Sequence, residues 1–207
     1  MINKQNFVRL LPYILLGAYS LVLLSVQYRL GETGARPYFS DIPNSPFLFG
    51  INTTLSCLLL IGCALLFSVT LKAVTDQPQR WFCLIQIAVF LYMGIDDRFM
   101  LHERVGYITG RNDAWILVFV AGIEGLALLF LGKFFQMERR IQLYLLAGAT
   151  CFFFMIVIDV YGHRAGMPLR LALEDLMKSW SALFFFLYSY AYMDCYVFQR
   201  RLKVQAN

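Results

Sequence analysis

Long apolar runs alternate with short polar breaks along the whole chain. The runs cover about 7–30, 47–73, 82–105, 115–137, 141–162 and 169–198. Their lengths match or approach the ~20 residues a helix needs to cross the hydrocarbon core of a bilayer. The breaks read "GETGARPYFSDIPNSP", "TDQPQR", "GYITGRND", "MERR" and "GHRAGMP", compositions that end helices and form turns. The pattern predicts an all-α fold, a polytopic membrane protein with residues 1–207 forming one bundle of six transmembrane helices. Pro168 is expected in the first turn of the last helix, where its missing N–H costs nothing. The first run is too long for a signal-peptide core and lacks a small-x-small site after it, so it reads as a retained span.

Composition supports the same class. Of the 207 residues 59% are hydrophobic and 15% are charged, against about 25% charged in ordinary soluble domains. The formal charge of +5 does not form a basic stripe, and no nucleic-acid partner is expected. Lys4, Arg9, Lys72, Arg80, Lys133, Arg139, Arg140, Arg200, Arg201 and Lys203 instead fall at the side that six spans assign to both termini. The positive-inside rule makes that side cytoplasmic and suits a plasma (inner) membrane location. The other side also carries arginines, most of them beside acids. None of the five cysteines forms a C-x-x-C, so neither a structural disulfide nor thiol chemistry is expected.

Charge placement then singles out a site. The stretch "GIDDRFMLHERVG" puts Asp96, Asp97, Arg98, His102, Glu103 and Arg104 at the end of the third span. Read as one continuous helix, Asp96 and Glu103 share a face and His102 falls on the far side. Such a helix cannot show either side to lipid, so the third span is expected at the centre of the bundle. The fourth span brings Glu124 between Gly122 and Gly125, small residues that would let helices approach closely. The fifth ends with Asp159 and His163 one turn apart, followed by Arg164. The sixth starts with "LRLALEDLMKSW", in which Arg170, Glu174 and Lys178 share a face beside Asp175. Seven of the thirteen acids and both histidines thus converge on the outer half of the bundle. A charge at mid-bilayer costs ~2.5–3.5 kcal/mol, so these groups should face inward and pair. Spans one and two, without deep charges, are expected to be scaffold. The segment 31–46, with Tyr38, Phe39 and nearby Phe47, reads as a connector or a lid.

Several functions fit such a polar cup. Asp96, Glu103, Asp159, His163 and Asp175 are oxygen and nitrogen donors suited to zinc, manganese or iron. A bound metal could lower the pKa of its water to ~7. Asp97, His102, Glu124, Glu174 and Lys178 are then candidate catalytic groups, and Arg98, Arg104, Arg164 and Arg170 would hold a phosphate or carboxylate. The leading expectation is a metal-dependent hydrolase or transferase acting on membrane lipid or a lipid-linked group at the outer leaflet. No H-E-x-x-H, H-x-x-x-H or E-x-x-H occurs, and an internal salt-bridge lattice explains the same residues without a metal. A proton- or cation-linked transporter is the second class. The third is a non-catalytic subunit or sensor that binds a membrane partner protein or a second copy through the cup.

Overall fold

A computed structural model describes residues 4–39, 51–110, 114–162 and 166–199. Among them are seven α-helices and no strand: α1 (Lys4–Phe39), α2 (Ile51–Ala73), α3 (Gln77–Phe99), α4 (Leu101–Thr109), α5 (Ala114–Phe130), α6 (Arg139–Gly162) and α7 (Arg170–Met193). A 3₁₀ turn at Phe134–Gln136 follows α5, and a π-turn at Asp194–Gln199 ends α7. Leu10–Gly31, Asn52–Ala73 and Arg139–Gly162 are long and apolar enough to cross a membrane.

The third apolar run is two helices where the pattern predicts one. Met100 adopts a left-handed conformation (φ 50°), so α3 stops and α4 starts in a new direction. Left-handed backbone is unfavourable for a residue with a Cβ, and here Asp96 stabilises it from two sides. Its carbonyl accepts the Met100 N–H at 2.7 Å. Its carboxylate accepts the His102 N–H at 2.8 Å, which caps the start of α4. At the other connections, α1 continues as helix to Phe39 beyond a break at Gly31 (φ 68°), so residues 31–39 are not a loop. The α7 helix begins at Arg170 after left-handed Leu169, which leaves Pro168 outside its first turn. The Gln27 side chain caps that start, accepting the Ala172 N–H at 2.7 Å. Residues 40–50, on which the rest of the lid reading falls, lie outside the described residues.

The central helix is α7 and not α3. Fourteen residues of α7 are buried against eight of α3. Ser179, Ser181, Ala182, Ser189 and Ala191 are among them, and their small size lets α2 and α6 pack closely on this helix. Gly148 of α6 lies so near α7 that an added Cβ would sit 2.7 Å from the Phe185 ring. One core joins α2, α3 and α7 through stacked and edge-on rings of Phe67, Phe82, Phe90, Phe185, Tyr188 and Tyr192. Ring pairs of this kind add about 0.5–1.5 kcal/mol each beyond burial. A smaller core fixes α1 to α7 through Leu23, Leu171, Ala172 and Leu176. Trp180 donates to Ser20 Oγ across the same contact at 3.1 Å. This packing holds the first halves of α2 and α7 against the end of α3, where the ionisable residues gather.

Candidate functional site

Asp96, Asp97, His102, Asp159, Glu174 and Lys178 line one cavity of about 110 Å³ at the α4 end of the bundle. Four helices supply them: α3, α4, α6 and α7. The remaining walls are mainly apolar, with Leu60, Met93, Leu117 and Phe152 among them. At about 30 Å³ of liquid volume each, a few waters or one small polar group would fill the space.

Two polar pairs are built into this wall. In the first, Asp96 Oδ2 lies 2.7 Å from His102 Nδ1, and only about a fifth of the His102 side chain is accessible. The helix break at Met100 makes this contact, because a continuous helix would carry His102 away from Asp96. A carboxylate only accepts, so Nδ1 carries the hydrogen and Nε2 becomes the basic nitrogen of the ring. In the second pair, Lys178 Nζ lies 2.5 Å from Asp97 Oδ1. The Ser56 hydroxyl donates to Asp97 Oδ2. Ser179 donates to Asn52 Oδ1, and Asn52 Nδ2 donates to the Asp175 carbonyl at 3.1 Å.

Ser56 and Asn52 belong to α2, which the charge pattern marks as scaffold. Their signal was visible in "INTTLS", where four polar residues open a mainly apolar helix and Asn52 and Ser56 fall one turn apart. Both are buried and neither lines the cavity: Ser56 holds Asp97, and Asn52 holds Ser179 and the Asp175 carbonyl beside Lys178 on α7.

Other candidates take different places. Arg170 bridges two cavity-lining acids, Glu174 at 3.1 Å and Asp159 at 3.9 Å, and itself lines a separate depression with Gln27 and Gly162. Asp175 is buried but does not line the cavity. Arg98 and Arg104 are exposed, and Arg104 lines a separate shallow surface depression with Tyr107 and Ile108. Glu124 also stands apart. It accepts from Gln86 Nε2 at 2.6 and 2.7 Å, on the wall of an apolar furrow between α5 and α6. Gly122 and Gly125 do not mark a tight helix contact, since an added Cβ on either would meet nothing within 4 Å. His163, Arg164 and the Glu103 side chain lie outside the described residues. Among the described residues no three metal-ligating side chains converge.

The arrangement offers an imidazole oriented by a carboxylate, an ammonium held by a second carboxylate, and a cavity large enough for a small reacting group. No curated protein and no solved structure matches the chain. A family model does match residues 10–192, a stretch that includes every residue lining the cavity. The chain therefore belongs to the family described as Domain of unknown function (DUF8692).

Proposed function

We propose that the protein is a multi-pass membrane enzyme, a hydrolase or transferase that acts on a lipid or lipid-linked group at the outer leaflet. In this reading α1, α2, α3 with α4, α5, α6 and α7 make six spans, both termini are cytoplasmic, and the cavity opens outward. Three long apolar helices and the lysines and arginines at the opposite end of the bundle support it. The observation that carries the enzymatic part is the Asp96–His102 pair in the same small cavity as Lys178. A base held by an orienting carboxylate is the arrangement that activates hydroxyl nucleophiles. His102 Nε2 would take a proton from water or an acceptor hydroxyl, and Lys178 would stabilise negative charge developing on the attacked group. The protonated His102 would then return that proton to the leaving group, while Glu174, held by Arg170, would accept a hydrogen bond from the substrate. A zinc, manganese or iron ion would supply a Lewis acid there. By donor chemistry alone the chain offers Asp159 with His163 and Glu103, the latter two outside the described side chains, to hold one.

Protein in nanodiscs, incubated with outer-leaflet phospholipids, acylglycerols and lipid-linked sugars, tests this reading. Mass spectrometry should find a product that falls at least about 100-fold in rate with His102→Ala. An undiminished rate in that variant, or no product from any lipid, would overturn the assignment. Elemental analysis of the same sample decides the metal, because about one ion per chain is required for a metal-dependent step.

One observation favours proton-linked transport as a second reading. Beyond the cavity, Glu124 bonds to Gln86, and the Tyr188 hydroxyl donates to Gln86 at 3.4 Å. A polar line with Gln86 and Tyr188 buried and Glu124 half-buried suits a proton path. If it is one, Glu124→Gln should abolish proton flux into vesicles under a pH gradient. Flux equal to that of empty vesicles in the unmutated protein would remove this reading.

A further inference from the structure

The charged cavity has an apolar continuation. Met93, Phe152 and Ile156 line both the cavity and the furrow between α5 and α6, so the two spaces meet at these three residues. The furrow is about 490 Å³, within the ~300–1,000 Å³ typical of small-molecule sites. The cavity alone, at about 110 Å³, falls below that range. Along the furrow run Ala121 and Gly125 of α5 and Ala149 and Phe153 of α6, with Phe185 of α7 behind them. Glu124 is the only ionisable residue among the described furrow residues, and Gln86 already occupies its carboxylate. From Met93 to Gln86 is seven residues of α3, about 10 Å at 1.5 Å per residue. The apolar passage therefore extends about 10 Å from the junction before it reaches Glu124.

The two chemistries differ sharply across that junction. The cavity presents four carboxylates, Asp96, Asp97, Asp159 and Glu174, against Lys178 and the imidazole of His102, with Arg170 bridging Asp159 and Glu174. With a neutral imidazole, four acids against two cations leave the site net negative, which suits an uncharged hydroxyl-bearing head and disfavours an anionic one. Its volume admits a head about the size of glycerol and excludes a disaccharide. We propose that cavity and furrow together form one site for a single-chain amphiphile, with a small uncharged hydroxyl-bearing head among the carboxylates and its hydrocarbon chain between α5 and α6. This rests on the membrane-enzyme reading and narrows its substrate to the monoacylglycerol class.

Two glycines one turn apart on α5 give a matched test. A Cβ at Gly125 or at Gly122 meets nothing within 4 Å, but only Gly125 lines the furrow. Gly125→Trp starts from a position where a Cβ displaces nothing and puts its ring at the furrow, and Gly122→Trp makes the same change off it. Ala149→Trp, on the facing helix, repeats the block from the other side. The probe is 1-monopalmitoylglycerol in mixed micelles, and native mass spectrometry reads the fraction of chains that retain it. Retention should fall about ten-fold or more in Gly125→Trp and Ala149→Trp, a difference of about 1.4 kcal/mol. It should hold within about two-fold in Gly122→Trp, well inside that margin. Equal retention in all three variants would mean that bulk acyl chains fill the furrow, and would overturn the proposal. Equal retention of palmitoyl lysophosphatidate by the unmutated protein would overturn the assignment of the head.

Binding is read here without turnover. Selective loss in the furrow variants would therefore support the site even if no lipid is converted. Lipid turnover that persists in Gly125→Trp at the unmutated rate would reject the furrow and leave the enzyme reading standing.

Discussion

Asp96→Asn should lower turnover about 10³–10⁴-fold and leave the fold intact. This carboxylate has two jobs. Through Oδ1 it caps α4, accepting the His102 N–H, and through Oδ2 it meets Nδ1 of the same residue. An asparagine keeps the first bond, because its amide oxygen accepts equally well. It reverses the second, since an amide N–H₂ can only donate and Nδ1 must then become the acceptor. The ring hydrogen moves to Nε2, and the nitrogen that should take the proton is no longer basic. Asp96→Ala loses both bonds, so it should also lose about 1 kcal/mol for the missing cap. Turnover and thermal unfolding measured on both variants separate the roles. A large rate loss at unchanged stability identifies Asp96 as the residue that orients a base. Full activity in Asp96→Asn would mean that the pair only holds the α3–α4 corner together.

This corner also shows what the sequence could and could not reveal. Hydrophobic runs and turn-rich breaks carry the all-helical character, because burial periodicity and helix-ending residues are local properties of the chain. They also carry the gathering of Asp96, Asp97, His102, Asp159, Glu174 and Lys178 at one end, since runs of known length that reverse direction bring their ends into register. The break at Met100 was not legible. It has no glycine or proline to announce it, and it depends on a left-handed residue braced by the Asp96 side chain. Without that break the helical wheel puts His102 opposite its partner. Tertiary packing decided the remaining differences. Glu124 lies at a plausible depth on α5, but the offset between α5 and α3 brings it to Gln86 and not to Asp97. Asn52 and Ser56 carry no charge, so the pattern of ionisable residues does not include them. Their importance comes from what α7 presents to α2.

The Asp97–Lys178 pair should respond asymmetrically to removal of either partner. Asp97 keeps only 4% of its side chain accessible, and Lys178 keeps 32%. Lys178→Met strands a buried carboxylate, for which Ser56 offers one hydroxyl and no positive charge. Breaking a buried pair in this way costs about 3–5 kcal/mol, and the partial exposure of Lys178 puts the expected loss near the lower figure. Asp97→Asn should cost less, about 1–2 kcal/mol, because the lysine stem can carry its ammonium toward the open end of the cavity. The double variant Asp97→Asn/Lys178→Met removes both charges at once and should recover most of the stability lost in Lys178→Met alone, a strong departure from additivity. Unfolding of the four proteins in the same detergent measures this coupling. Turnover of the same four proteins then discriminates between the two meanings of the pair. A lattice that merely neutralises charge would regain function together with stability in the double variant, because no unpaired group remains. If Lys178 stabilises the charge that develops during reaction, the double variant should fold well and stay inactive. Recovered stability with no recovered turnover is therefore the outcome that separates a working site from an ionic brace.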